Sequence, residues 1–184
     1  MSDEEKKKTG EGAGGGRHAV RLFVGDMPVL LRMKQVAPSS QIYALTALAR
    51  LYVLPFDEGV QDQVHRALGT GDWPDDARHG LSSSDLQFAA RASEAGPLAY
   101  AETDYDGPDG TQTAALWQSG AVILGPLSVD TATALSRPAA VWPINAALRA
   151  LGVRARPPDD EFTAMGLRNW STNGDIHRYA RRMG

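Results

Sequence analysis

Carboxylates recur at alternate positions in residues 100–109, which read Tyr-Ala-Glu-Thr-Asp-Tyr-Asp-Gly-Pro-Asp. Alternate side chains of a β-strand point to the same face of a sheet, so Glu102 and Asp104 are expected to lie side by side. Two neighbouring carboxylates can take different pKa values and act as the acid and the base of a hydrolytic reaction. The pattern therefore indicates, as one hypothesis, a small hydrolase that uses Glu102 and Asp104 as an acid/base pair or as metal ligands, assisted by His79 or an arginine.

The same carboxylates also have non-catalytic explanations. Like charges at this spacing repel one another unless they spread into water, pair with arginine or a partner, or are bridged by a cation. Asp104, Asp106 and Asp109 match a calcium loop only in part, because Pro108 and Asp109 stand at the fifth and sixth positions, where an oxygen ligand and glycine are needed. We therefore predict no metal site, and a partner-facing acidic patch and a solvated hairpin both stay open.

Several enzyme classes lack their usual residues in this chain. It has no cysteine, which excludes thiol nucleophiles, disulfides, iron–sulfur clusters and cysteine-type zinc sites. It also has no phosphate loop, no hydrolase nucleophile elbow and no H-E-x-x-H zinc motif. Gly10, Gly12 and Gly15 have the spacing of a dinucleotide-binding loop, but no strand precedes them and no helix follows. No cofactor is predicted.

Charge is distributed unevenly along the 184 residues, of which 19 are basic and 22 acidic. Residues 57–109 hold twelve acids against three arginines, a local net charge of −9. Acidic surfaces attract basic partners and orient their approach. The leading interpretation is therefore a non-catalytic interaction protein with an acidic surface that binds a protein partner, for example a toxin-neutralising immunity protein. The candidate binding residues are Asp75, Asp76, Asp104, Tyr105, Asp106 and Asp109.

Composition also predicts the compartment. Residues 1–17 are charged and glycine-rich, so we expect a disordered tail. They also lack the apolar core of a secretory signal. The longest apolar stretch, residues 42–56, is interrupted by Arg50 and is shorter than the roughly 18 apolar residues of a membrane span. We expect a cytoplasmic protein that contacts neither a membrane nor nucleic acid, and its oligomeric state stays open.

The elements that would hold these residues are predicted from hydrophobic periodicity. Apolar side chains alternate over residues 20–24, Gly25-Asp26 is a turn signal, and a second apolar run covers residues 29–36. This order is typical of a β-hairpin. Residues 42–54 fit either a strand or a helix.

Two helices are predicted in the acidic part of the chain. Asp57 is a suitable N-cap for the first, and Gly69 is suited to end it. Ser84 and Gln87 have the spacing of a capping box for the second, which Gly96 closes.

After residue 97 the apolar period changes from 3.6 to 2. Residues 98–105, 111–117 and 121–124 are predicted as three strands of an antiparallel meander. A helix that begins at Pro143 would cover the meander, and a short helix is expected near residues 161–165. We predict a single α+β domain over residues 18–184, with helices packed on one face of an antiparallel sheet.

Four blocks of sequence carry a resemblance. They are Leu-Ala-Tyr-Ala-Glu-Thr-Asp-Tyr from residue 98, Gly-Thr-Gln-Thr-Ala-Ala-Leu-Trp from 110, Pro-Ile-Asn-Ala-Ala-Leu-Arg-Ala-Leu-Gly-Val from 143, and Asp-Glu-Phe-Thr-Ala-Met-Gly-Leu from 160. In these blocks the chain resembles a group of small uncharacterised bacterial proteins, in which the hairpin turn is richer in glycine than residues 106–110. The resemblance implies a common fold, and no functional residue is carried over from it.

Overall fold

The computed structural model describes residues 18–45, 50–73, 80–106, 109–136, 138–167 and 172–176. Six strands in these ranges form one antiparallel sheet in the order β2-β3-β1-β4-β5-β6. The strands are β1 (His18–Gly25), β2 (Tyr43–Ala44), β3 (Tyr52–Pro55), β4 (Leu98–Asp106), β5 (Asp109–Gln118) and β6 (Ala121–Asp130). The α-helices are α1 (Met27–Val36), α2 (Glu58–Leu68), α3 (Ser83–Ala92), α4 (Thr131–Leu135), α5 (Pro143–Ala150) and α6 (Glu161–Ala164). Single turns of 3-10 helix span Ser93–Ala95 and Ala139–Val141.

The predicted α+β class is confirmed, and so is the meander of β4, β5 and β6. The predicted disordered tail, residues 1–17, lies outside the described residues.

The predicted hairpin over residues 20–36 is wrong in its second half, because residues 27–36 form helix α1 instead of a strand. Asp26, interpreted from sequence as a turn residue, is the N-cap of this helix and accepts a hydrogen bond from the Val29 backbone N–H at 3.3 Å. Pro28 fits the first turn of a helix, where its missing N–H costs nothing. The buried side chains Val29, Leu30 and Met33 have helical spacing, which is the signal that distinguishes this run from a strand.

The capping box of α3 lies two residues before the predicted one. Ser82 is the N-cap and its Oγ accepts a hydrogen bond from the Asp85 N–H at 3.3 Å, while Asp85 Oδ2 accepts one from the Ser82 N–H at 2.8 Å. Ser84, the predicted cap, is buried inside the first turn. Each of three consecutive serines could cap the helix. Ser82 is the cap because Asp85, three residues later, forms the reciprocal hydrogen bond of a capping box with it.

Helices cover both faces of the sheet, whereas the sequence predicted helices on one face. Phe23, Tyr100 and Trp117 point to the face that α1, α2 and α3 cover. Residues on the opposite side of the same strands, such as Leu116, pack under α5 through Leu148. Strands β1, β4 and β5 are therefore buried on both sides. We call the side covered by α1, α2 and α3 the three-helix face and the side covered by α5 the α5 face.

Two ionised side chains connect α5 to α6 on the α5 face. Arg149 donates two hydrogen bonds to the Glu161 carboxylate, at 2.9 and 2.8 Å, and this pairing lowers the pKa of Glu161. Partial burial acts to raise the pKa of Asp160, but hydrogen bonds from Thr163 and Asn145 outweigh it, so this pKa is also lowered. Both carboxylates are therefore more stable as anions in the folded protein than in the unfolded chain.

We expect the protein to lose stability at low pH, in part because Glu161, which joins α6 to α5, becomes protonated. A lowered pKa in the folded state stabilises the fold above the unfolded pKa, near pH 4, and this contribution is lost as the pH falls through the folded pKa. Removing the titration with Glu161→Gln should make the unfolding free energy less dependent on pH between about 5 and 3, by on the order of 1 kcal/mol. Urea unfolding of both proteins across this range measures the difference. Parallel curves for the two proteins would contradict the assignment.

Candidate functional site

A groove of about 440 Å³ lies at the end of the sheet where β1 and β4 meet the start of α2. We call it the acidic groove, because the described residues that line it include four carboxylates and one guanidinium. Its lining residues are Ala19, Arg21, Asp57, Glu58, Glu102, Thr103, Asp104, Thr172 and Asn173. The groove therefore brings the two carboxylates singled out from sequence together with residues from distant parts of the chain.

The first turn of α2 supplies two of the carboxylates. Asp57 is the N-cap, as predicted, and its Oδ1 accepts a hydrogen bond from the Val60 N–H at 2.9 Å. Glu58 follows and is exposed to solvent. Negative charge is favourable at a helix N-terminus, because the backbone N–H groups there carry partial positive charge. The helix thus tolerates both carboxylates on the rim of the groove.

Glu102 is fixed in the wall of the groove. Its Oε2 accepts hydrogen bonds from the Gly80 N–H and from the Tyr100 hydroxyl, both at 3.1 Å. Burial of Tyr100, and next the charge on Glu102, raise the pKa of this hydroxyl well above its ordinary value, so it stays protonated and donates. Asp104 follows two residues later along β4 and is exposed.

Arg21 supplies the one cation among the described lining residues. Its Nη1 donates to Gln61 Oε1 at 3.3 Å and to the Gly80 carbonyl at 3.4 Å, and its guanidinium lies 5.9 Å from the centre of the Phe56 ring. A Cβ atom at Gly80 would stand 2.9 Å from Arg21 Nη1 and 3.1 Å from Glu102 Oε1. Glycine at position 80 therefore lets both side chains approach the same stretch of backbone.

A buried polar cluster lies behind Arg21. Gln61 Nε2 donates to Asp85 Oδ2 at 2.7 Å, and the Ser82 hydroxyl donates to the same oxygen at 2.9 Å. His65 Nε2 lies 3.0 Å from Ser82 Oγ and 3.2 Å from Asp85 Oδ1. Serine, histidine and aspartate thus meet, but in a catalytic triad the serine and the aspartate contact opposite ring nitrogens. Because both contact Nε2 here and Ser82 is fully buried, the cluster is structural.

The structure divides the predicted site residues between several places. Glu102 and Asp104 line the acidic groove, whereas Tyr105 lies on the α5 face and lines a different cavity. Asp106 ends β4 and Asp109 begins β5. The remaining candidates, His79, Asp75 and Asp76, lie outside the described residues.

The sequence interpretation missed Arg21 and Glu58 as groove residues and used Asp57 only as a cap. One signal was available: Arg21 interrupts an apolar strand, and a charged residue there needs a partner or a polar cavity. It also counted all acids of residues 57–109 as surface charge, although Asp85 is buried and Glu94 is paired with Arg32 at 3.1 Å. The negative charge of the groove therefore comes from the few carboxylates that line it and not from the net charge of residues 57–109 as a whole.

Among the described residues, no three His, Asp or Glu side chains form a group that could hold a metal ion. No helix in that part of the chain is long and apolar enough to cross a membrane. Comparison with protein-family models, curated proteins and solved structures finds no match to this chain.

Proposed function

We propose that this chain is a non-catalytic interaction protein whose acidic groove binds a basic protein partner. A toxin-neutralising immunity protein is one concrete form of such a function. The observation that supports the proposal is the lining of the groove, in which the described residues supply four carboxylates and one guanidinium. A lysine or arginine side chain of a partner would find opposite charge on several sides of one concave surface.

The carboxylates of the groove suit two stages of association. Glu58 and Asp104 are exposed at the rim, where charge increases the rate of encounter with a basic surface and is screened by salt. Glu102 is held by two hydrogen bonds, so little side-chain entropy is lost when it pairs with a cation. We place the interaction in the cytoplasm, where a chain without cysteine needs no oxidising environment, and an acidic groove of this kind repels nucleic acid.

The proposal predicts capture of a basic protein that depends on salt and on the groove. Immobilised wild-type chain should recover the partner from an extract of the native cell at about 0.05 M salt and lose most of it at about 0.5 M, where the screening length is only a few ångströms. The double variant Glu58→Gln/Asp104→Asn should bind about tenfold more weakly, since each exposed charge pair contributes up to about 1 kcal/mol. Quantitative mass spectrometry of the captured proteins measures both effects.

The control variant also removes two negative charges, but at positions outside the groove. Asp62 and Asp72 are exposed and do not line the groove, so Asp62→Asn/Asp72→Asn should bind like the wild type. Equal loss of binding in the two double variants would show that net charge matters and the groove does not. Recovery that ignores salt would overturn the charge argument.

A small hydrolase remains the second candidate, because Glu102, Asp104 and Arg21 share one concave groove. Two carboxylates beside a guanidinium could divide the roles of acid and base while the cation stabilises a developing negative charge. The two functions differ in what they require of Glu102. Turnover of a substrate should be lost with Glu102→Gln and survive Glu58→Gln, whereas binding through summed charge should weaken similarly in both variants.

A further inference from the structure

A second concave site lies on the α5 face, and Thr103 of β4 lines both this site and the acidic groove. It is a cavity of about 380 Å³ between strands β4 and β5 and helices α4, α5 and α6; we call it the α5 cavity. This volume is at the lower end of the range of small-molecule pockets, about 300–1,000 Å³. Its size fits a molecule of one or two rings.

Three aromatic residues, Tyr105, Trp142 and Phe162, line the α5 cavity. The Trp142 indole N–H donates to the Ala134 carbonyl at 2.8 Å. The Phe162 backbone N–H donates to Asn145 Oδ1 at 2.9 Å, and Asn145 Nδ2 donates to Asp160 Oδ2 at 3.0 Å. These bonds fix the Trp142 ring and the backbone at Phe162 in the lining of the cavity. Flat apolar walls of this kind favour planar rings.

The strands contribute polar groups to the same cavity. Thr103 and Gln112 face it although they are only 4% and 3% exposed. The side chains of Gln112 and Tyr105 are hydrogen-bonded, and burial, the larger effect, raises the pKa of the Tyr105 hydroxyl. A hydroxyl and an amide beside a protonated phenol offer both donors and acceptors to a ring that carries the same groups at its edge.

The charge of the α5 cavity limits the ligand further. No lysine, arginine or histidine is among the described residues that line it. Asp160 is the one charged residue among those described in the lining, and it accepts hydrogen bonds from the Thr163 N–H at 2.8 Å and from Asn145. An anion in this cavity would lose its hydration and meet a carboxylate with no cation to balance it.

We infer that the α5 cavity binds an uncharged planar heteroaromatic molecule, of nucleobase to nucleoside size. The aromatic walls select the ring, the buried hydroxyl and amide groups select polar edges, and the carboxylate rejects anions such as phosphate or carboxylate derivatives. The inference does not rest on the acidic groove, although Thr103 lines both sites.

Matched probes test the inference on the full chain. Nicotinamide and nicotinate have nearly the same shape and differ in charge, and adenosine and adenosine monophosphate differ by a phosphate. Ligand-observed NMR should show binding of an uncharged probe with Kd on the order of 1 mM, as expected for so few atoms, and at least about tenfold weaker binding of its anionic counterpart, a difference of about 1.4 kcal/mol. The inference would be overturned if neither nicotinamide nor adenosine binds. It would also be overturned if, in both pairs, the anionic probe binds as tightly as the uncharged one.

Variants locate the probe. Ala134→Phe adds a ring to the lining without removing a side-chain hydrogen bond and should weaken binding at least about tenfold. Gln112→Leu keeps a side chain of similar size and removes the amide, so it should weaken binding a few-fold and serves as the test if Ala134→Phe does not fold. Gln112 lines the α5 cavity and is not among the described residues that line the acidic groove. Glu58→Gln in the acidic groove should leave probe binding unchanged. Wild-type affinity in a folded Ala134→Phe protein, or loss of binding in Glu58→Gln, would place the probe elsewhere and contradict the assignment.

Discussion

Replacing Leu148 with alanine is expected to lower the free energy of unfolding by about 2–5 kcal/mol, the cost of removing a large buried aliphatic side chain. Leu148 is fully buried on α5 and belongs to the core that includes Leu116, Ala114 and Ile144. Ala114 is too small to fill the space that the leucine leaves, so the resulting cavity should persist. Denaturant unfolding followed by circular dichroism measures the change. A loss of this size is a large part of the stability of a typical domain.

An exposed leucine provides the matched control. Leu127 on the edge strand β6 is 50% exposed, so Leu127→Ala should change stability by no more than about 0.5 kcal/mol. A neutral Leu148→Ala would mean that α5 is not part of the core. That result would also remove the basis for the α5 cavity, which shares Ile144 with this cluster.

Replacing Asp85 with alanine is expected to cost about 3–5 kcal/mol. The Asp85 carboxylate is fully buried, and its Oδ2 accepts hydrogen bonds from Gln61 Nε2, the Ser82 hydroxyl and the Ser82 N–H. The substitution removes an acceptor from all three donors and leaves His65 without its nearest carboxylate. Buried donors without partners bear the full cost of their lost hydration.

The substitution Asp26→Ala serves as a control that measures the cost of losing a helix N-cap alone. It caps α1 as Ser82 and Asp85 cap α3, but it is only partly buried. Asp26→Ala should therefore cost about 1 kcal/mol, the ordinary value for an N-cap. Equal losses for Asp85→Ala and Asp26→Ala in urea unfolding would show that the polar cluster adds nothing beyond capping.

The parts of the fold that the sequence predicted well are those with one dominant local pattern. Alternation over residues 98–124 predicted the meander, whose strand β5 carries the fully buried Trp117. The helix that begins at Pro143 follows from helical spacing and a residue suited to its first turn. These patterns require no knowledge of distant residues.

One failure was avoidable and the others have their physical origin in tertiary context. Asp26 fits a turn and a helix cap equally well, but the helical spacing of Val29, Leu30 and Met33 was a local signal for α1. Alanines dominate the α5 face of β4 and the middle of β5, and small residues do not show that a helix covers them. The acidic groove could not be predicted as a unit, because Arg21, Asp57 and Glu102 come from three separate elements.

The measurement that tests the proposed function most directly is carboxylate labelling of the chain alone and in complex with the captured partner. Carbodiimide-driven amidation modifies exposed carboxylates, and mass spectrometry reports each position separately. If the partner occupies the acidic groove, modification of Glu58 and Asp104 should fall several-fold in the complex, while Asp62 and Asp72, which are exposed outside the groove, should react as before. Unchanged labelling of Glu58 and Asp104 in a saturated complex would contradict the account.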